Sequence, residues 1–383
     1  MKYRTNILFA IGIGFLFVPL LLQVTLSNNS IPVLKGAFEQ TDTLQLSLKN
    51  VISKKWQQNR EAIFQNNLSL KPAIVRAGHE IDYRLFREYH MGDLLLGKND
   101  ILFSKSWAKA RCCETHLQAD SLAIFTKKLG KLSGLMKKNN KYFKVIIPPS
   151  KEEIYHSFLP NGYALENEQS DYKLLINELK ANAIDYWDLL DYYQSAMDTN
   201  RYPLYSKTSV HWTTYGAHFT LLKLLDDMNN FFPNQLPKLA VESISTSTFK
   251  GGDGDHEATL NLISRIDDQL FAYPKYSIDS SEGNNFRPTI ITLGDSFYWG
   301  IKSCWMLPYV FDKNSKYLYY FSKVHYNNSS VKSHLINKQA IASEIANSDG
   351  LIILNSSHNL KGFPYGLEKQ IDQLINILSE EQG

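Results

Sequence analysis

Cysteine is scarce. Three in 383 residues are too few for a fold held by disulfides, and their placement lacks the spacing of a metal site. Cys112 and Cys113 are adjacent and Cys304 is far away. Either one of the pair bridges to Cys304 or the thiols stay free. A dominant charge sign is missing too. Lys and Arg number 41 against 38 Asp and Glu, and a net charge of +3 is too small to argue for a nucleic-acid partner. There is no internal repeat and no long low-complexity tract, so solenoid and disordered classes are excluded. Beyond residue 26 no apolar run is long enough to cross a bilayer.

One such run lies at the start. Ile7 to Leu26 is uncharged for 20 residues and follows Lys2 and Arg4. As a helix it spans about 30 Å, the thickness of the hydrocarbon core. The basic flank puts the N-terminus in the cytoplasm and the rest of the chain outside. A cleaved signal peptide is the rival reading, but no A-x-A site and no lipid-accepting cysteine follow the run. The expected organisation is a cytoplasmic stub and single transmembrane signal-anchor over 1–27, a polar stalk over 28–80, and one domain over 81–383. The domain then faces the periplasm or another extracytoplasmic side of the inner membrane.

Apolar residues make up 44% and charged residues 21%, as in ordinary globular proteins. Short paired strands are expected around Lys98-Asn99-Asp100, and helices over 117–139, 171–182 and 213–228. Buried strands are expected at Phe143–Ile147, over 183–190, at Thr289–Leu293 and within 347–360, with a closing helix over Leu367–Leu378. Residues 232–285 show the least regular pattern. Strands that alternate with helices imply an α/β domain with a mostly parallel sheet.

In such sheets, ligands gather beyond the carboxyl ends of the strands. Four exits carry polar groups: Pro148-Pro149-Ser150-Lys151, Asp188, Gly294-Asp295-Ser296-Phe297 and Asn355-Ser356-Ser357-His358. The third is the sharpest. A serine just after a buried strand, in a turn that opens a helix, is exposed at the sheet rim. Amides at the helix start favour a developing oxyanion, with Gly294 and Asp295 forming the turn. The G-x-S-x-G elbow is absent, because position 298 is Tyr. A serine hydroxyl needs a base, and His211 in "SVHWTTYGAH" is the natural one. Lys151 and Tyr155 could reach substrate, as could Asn355 and His358. The bland alternatives are a helix cap at Asp295–Ser296, a structural histidine beside Trp212, and a solvated lysine at 151. Asp253, Gly254 and Asp255 lack the ligand run of a calcium loop, so no metal and no cofactor are expected.

Six blocks, in order over roughly residues 85–365, resemble the SGNH hydrolase-like domain of periplasmic alginate O-acetyltransferase-type proteins. They are "LLLGKNDILF", "IIPPSKEEIYHSFLP", "PLYSKTSVHWTTYGAH", "GDGDHEATLNLI", "ITLGDSFYWG" and "SDGLIILNSSHNL". The resemblance implies a three-layer α/β/α domain and an O-acetyltransferase acting on hydroxyls of an exported polysaccharide. It implies Ser296 as the acyl-carrying nucleophile and His211 as its base. A membrane-bound O-acyltransferase partner is implied as the source of the acetyl group. The family's aspartate two residues before the histidine falls here on Ser209. Three accounts of that departure stay open: another carboxylate (Asp188, Asp253 or Asp255) orients His211; a Ser-His dyad works with Ser209 as a weaker orienter; or the chain only binds glycan. An acetylesterase, with water as acceptor, is the enzymatic rival.

Overall fold

A computed structural model describes Phe9, Ile13, Gly14, Phe17 and residues 31–36, 43–89, 92–165, 167–233, 236–279, 286–304, 306–327 and 330–380. Most of the expected membrane span lies outside the described residues, among which no helix is long and apolar enough to cross a membrane. The chain divides into two compact units. The first comprises 1–92 with 256–266, and the second comprises 93–255 with 267–383. In the first, helices Lys55–Asn66 and Lys71–Ile81 precede a π-helical turn, Asp82–Phe86. His79 Nδ1 lies 2.8 Å from the Leu260 carbonyl, and the Glu80 carboxylate accepts the Ile263 amide at 2.9 Å.

The second unit opens with a hairpin of β1 (Leu94–Leu96) and β2 (Leu102–Ser104), turning at Lys98–Asp100. Next in the chain come β3 (Tyr142–Ile147), β4 (Tyr186–Asp188), β5 (Lys238–Ser247) and β6 (Phe271–Asp279). They are followed by β7 (Ile290–Gly294), β8 (Lys316–Tyr319), β9 (Lys323–Tyr326), β10 (His334–Leu335) and β11 (Gly350–Leu354). One seven-stranded sheet has the order β10-β9-β8-β7-β11-β3-β4. Strands β8, β7, β11, β3 and β4 are parallel neighbours, while β9 and β10 fold back antiparallel at one edge. The sheet is therefore mostly parallel, as expected, and mixed through its antiparallel edge. The reversal comes from a tight turn at Tyr320–Ser322, too short to hold a crossover helix.

Alternation along the strands builds the layers. On β3, Phe143, Val145 and Ile147 enter one core with helices Ala119–Lys138, Asp171–Ala181, Ile341–Ala346 and Ile371–Glu380. Tyr142 and Ile146 enter the opposite core with helices Leu190–Met197, Thr214–Phe231 and Tyr298–Ser303. Burial on both faces explains the unbroken apolar runs of β3, β7 and β11. Two packed faces give the three-layer α/β/α arrangement. A second sheet, the β5–β6 antiparallel ribbon, occupies the segment with the least regular pattern.

Register positions the site. Leu354 pairs with Gly294 on one side and Ile146 on the other, and Gly294 also pairs with Tyr319. The exits at Asp295, Asn355, Ile147 and Tyr320 therefore meet at one rim. Gly294 has a local reason: a Cβ there would lie 2.7 Å from the Leu354 carbonyl oxygen.

Candidate active site

Ser296 leaves β7 through the turn Gly294-Asp295-Ser296-Phe297. Asp295 is fully buried and builds that turn. Its Oδ1 accepts the Phe297 amide at 3.0 Å, its Oδ2 accepts the Ser356 amide at 2.8 Å and the Ser356 hydroxyl, and its own amide donates to the Leu354 carbonyl at 3.2 Å. Burial pushes its carboxyl up, and the Ser356 bonds pull the other way. Asp295 thus frames the nucleophile turn and has no amide or carboxylate free to meet substrate. The Gly294 carbonyl accepts the Tyr320 amide at 3.0 Å, which likewise makes Gly294 framework. The helix after Ser296 is a single short one, Tyr298–Ser303, and the amides of Tyr298, Trp299 and Gly300 bond back to residues 295–297.

His211 lies on the loop that an isolated bridge, Tyr205 to Trp212, closes just before Thr213, the N-cap of helix Thr214–Phe231. Trp212 Nε1 donates to the Phe297 carbonyl at 3.1 Å and ties this loop to the serine turn. His211 Nε2 stands 2.9 Å from Ser296 Oγ. Nδ1 stands 3.3 Å from Asp255 Oδ2, whose other oxygen accepts the Val210 amide at 3.2 Å. His211 and Asp255 are partly open to solvent, at 27% and 32%. The donors can be assigned from the network. Asp255 requires a proton on Nδ1, which leaves Nε2 to accept from the Ser296 hydroxyl. Asn359 Nδ2 donates to the Tyr320 hydroxyl at 2.8 Å. Ser296–His211–Asp255 is therefore one consistent run of donors into acceptors.

Of the carboxylates open to His211, the structure brings only Asp255 to the ring. Asp188 accepts the Tyr172 hydroxyl at 2.6 Å and the Leu190 amide at 3.1 Å. Asp253 caps the helix by accepting the Thr214 amide at 2.7 Å. Ser209 is not the ring's partner. It is fully buried, donates to the Gly252 carbonyl at 2.8 Å and accepts the His211 amide at 3.2 Å. Its hydroxyl spans the two backbones that carry His211 and Asp255.

The substrate-contact expectations fare differently. Lys151 is 0% exposed and its ammonium donates to the Lys207 and Ser206 carbonyls, so it is no solvated cation reaching for polymer. Tyr155 donates to the Tyr205 carbonyl at 3.3 Å, and burial pushes its hydroxyl up to about 12. Asn355 is buried, with its amide nitrogen on the Asn359 carbonyl and the Tyr365 hydroxyl. These three are scaffold. His358 does reach the site's wall. Its ring stacks on Trp107, and Trp107 and Phe297 pack around His211 with ring centres 6.3 and 5.1 Å away. Burial, then the nearby His211, hold the His358 imidazole well below its usual range.

Sequence reasoning missed Trp107, which packs beside His211, and Tyr320, whose amide braces the serine turn. Trp107 sits in the polar-looking helix Lys105–Cys112, and Tyr320 follows the short strand β8, so neither carried a motif. Tyr320 and Phe321 have φ of +49° and +48°, a left-handed turn disfavoured for aromatic residues. Cys112 and Cys113 are bridged to each other. Cys304 is buried and free, its thiol donating to the Gly300 carbonyl at 3.3 Å, which rules out the bridge to it. Among the described residues no group of His, Cys, Asp and Glu is arranged to hold a metal ion.

The α/β/α layering and the Ser-His-Asp alignment at its rim define a serine-hydrolase-like domain of the SGNH class. Residues 94–269 match the family described as the SGNH hydrolase-like domain of the acetyltransferase AlgX. The matched segment holds His211 and Asp255 and ends before Ser296. Three solved structures are similar. The O-acetyltransferase domain of Pseudomonas putida AlgJ has 14% identity over 74% of this chain and 99% of its own, with a TM-score of 0.46. Pseudomonas aeruginosa AlgX has 13% identity over 75% and 67%, with a TM-score of 0.46. Bacillus cereus PatB1 has 12% identity over 71% and 98%, with a TM-score of 0.42. No curated protein sequence matches the chain.

Proposed function

We propose that this protein is an O-acetyltransferase that moves an acetyl group onto hydroxyls of an exported polysaccharide through an acyl-Ser296 intermediate. The observation that carries the reading is the alignment of Ser296 Oγ, His211 Nε2 and Nδ1, and Asp255 Oδ2 at 2.9 and 3.3 Å. In the first half-reaction His211 takes the serine proton as Oγ attacks the acetyl carbonyl. The imidazolium returns that proton to the leaving group, and Asp255 stabilises the charge in between. In the second half-reaction His211 takes the proton of a sugar hydroxyl as that oxygen attacks the acyl carbonyl, and the imidazolium gives the proton to Oγ as Ser296 leaves. The AlgX-type family match supports acetyl transfer as the chemistry. Residues 7–26 anchor the domain to the cytoplasmic membrane with the site facing outward. A membrane-bound O-acyltransferase hands the acetyl group across.

The test is turnover of a chromogenic acetyl ester by the wild type and Ser296→Ala, with intact mass measured for an acetylated wild-type species. Loss of turnover in the variant, with acetyl on the wild type alone, is expected. Equal rates in both overturn the reading. Acetyl release to water alone, with a glycan acceptor present, assigns an esterase instead.

A further inference from the structure

Lys151 and Glu152 head the short helix Lys151–Ile154 beyond β3, and both are 0% exposed. A buried ammonium persists only where carbonyls and countercharges replace water. Here Nζ donates to the Lys207 carbonyl at 2.9 Å and the Ser206 carbonyl at 3.4 Å. Those carbonyls precede His211 by four and five residues. The same loop is pinned twice more: the Leu102 amide donates to the Lys207 carbonyl at 2.8 Å, and the Tyr205 hydroxyl donates to the Pro149 carbonyl. Ser104 donates its amide to Glu152 Oε1 at 3.0 Å.

We propose that Lys151 is a positioning residue for the His211–Asp255 pair, fixing the loop that carries His211 and supplying the buried positive charge that acts on Asp255. The proposal rests on the acyl-Ser296 reading. The carboxylates whose charge acts on the ammonium are Glu152 on its own helix, then Asp255 and Asp267. Burial pushes the amine down and those three pull it back. Burial pushes Glu152 up and Lys151 holds it down. The groups facing His211 are Asp255, Asp295 and His358. Removing Lys151's charge therefore alters both the aim of the imidazole and the field around it.

The full chain carries the test, as Lys151→Met, Lys151→Arg and Glu152→Gln, with ester kinetics against pH and thermal melting. Lys151→Met is expected to lower kcat about 10- to 100-fold per folded molecule with little change in KM, as a misaimed base does. The acid limb of its rate profile moves to higher pH, because a site that has lost a cation holds a proton more tightly. Lys151→Arg keeps that limb near its original position. A merely structural lysine lowers the melting temperature and the active fraction and leaves the limb in place. An unmoved limb with wild-type kcat overturns the proposal. If Lys151→Met fails to fold, Glu152→Gln decides: the limb moves to lower pH, or the proposal falls. Turnover that survives Ser296→Ala sinks the underlying reading instead, so the two failures are told apart.

Discussion

Two side chains compete to be the orienter of His211, and their surroundings separate them. Asp255 faces Nδ1 with a carboxylate oxygen, whereas Ser209 spends its hydroxyl on backbone groups. Asp255→Asn keeps the size but offers the ring a donor or a neutral oxygen, so the wrong tautomer is favoured. A drop in kcat of about 10³-fold is expected in ester turnover, within the range such changes produce in serine enzymes. Ser209→Ala removes a bond between two backbones and is expected to lower kcat only about tenfold. Ser209→Asp does not rescue Asp255→Asn, because position 209 is buried and a carboxylate there meets the Gly252 carbonyl, another acceptor. Rescue of activity in that double variant would show that the orienting site can return to the position the family pattern suggests.

The helix Thr214–Phe231 meets the β5–β6 ribbon at one titratable contact. The Tyr276 hydroxyl and His218 Nδ1 share a hydrogen bond at that contact. Burial holds the His218 pKa at about 4. The sign follows: between about pH 6.5 and 4 the unfolded chain binds a proton that the folded one refuses, so stability falls on acidification by up to about 3 kcal/mol. Replacing it with glutamine, His218→Gln, is expected to flatten the acid arm of melting temperature against pH. Parallel curves for the two proteins rule the contact out as the cause. That ribbon was also the element least legible beforehand. Strands β3, β7 and β11 are buried on both faces and announce themselves as apolar runs, but β5 is exposed along nearly its whole length and shows no alternation. Its partner β6 lies beyond the helix Asp255–Leu260. Legibility at the site divides in the same way. Ser296 and His211 stood beside clear strand and helix signals. Asp255 could not be told from Asp253 two residues away, because only three-dimensional placement turns one to the ring and the other to Thr214.

On the scale of the whole chain, the proposed action on an exported polymer requires a site held on the outer side of the membrane, and residues 7–26 are the means we propose. Within this uncharged run the Leu, Ile, Phe and Val residues each favour insertion by about a few tenths of a kcal/mol, and together they outweigh Pro19 and the polar Gln23 and Thr25. The proposed topology has Lys2 and Arg4 holding the N-terminus in the cytoplasm, with everything after the span on the far side. Expressed in a Gram-negative host, the full chain is expected to stay in the membrane pellet through high salt and alkaline carbonate and to leave it in detergent. Protease added to spheroplasts is expected to digest the domain. Leu16→Arg together with Ile13→Arg puts two charges near mid-span, at about 3 kcal/mol each, and should prevent stable insertion. Release by salt alone would make the attachment peripheral, and full protection from outside protease would reverse the topology. Either result would require the acetyl group and the glycan to reach Ser296 by another route.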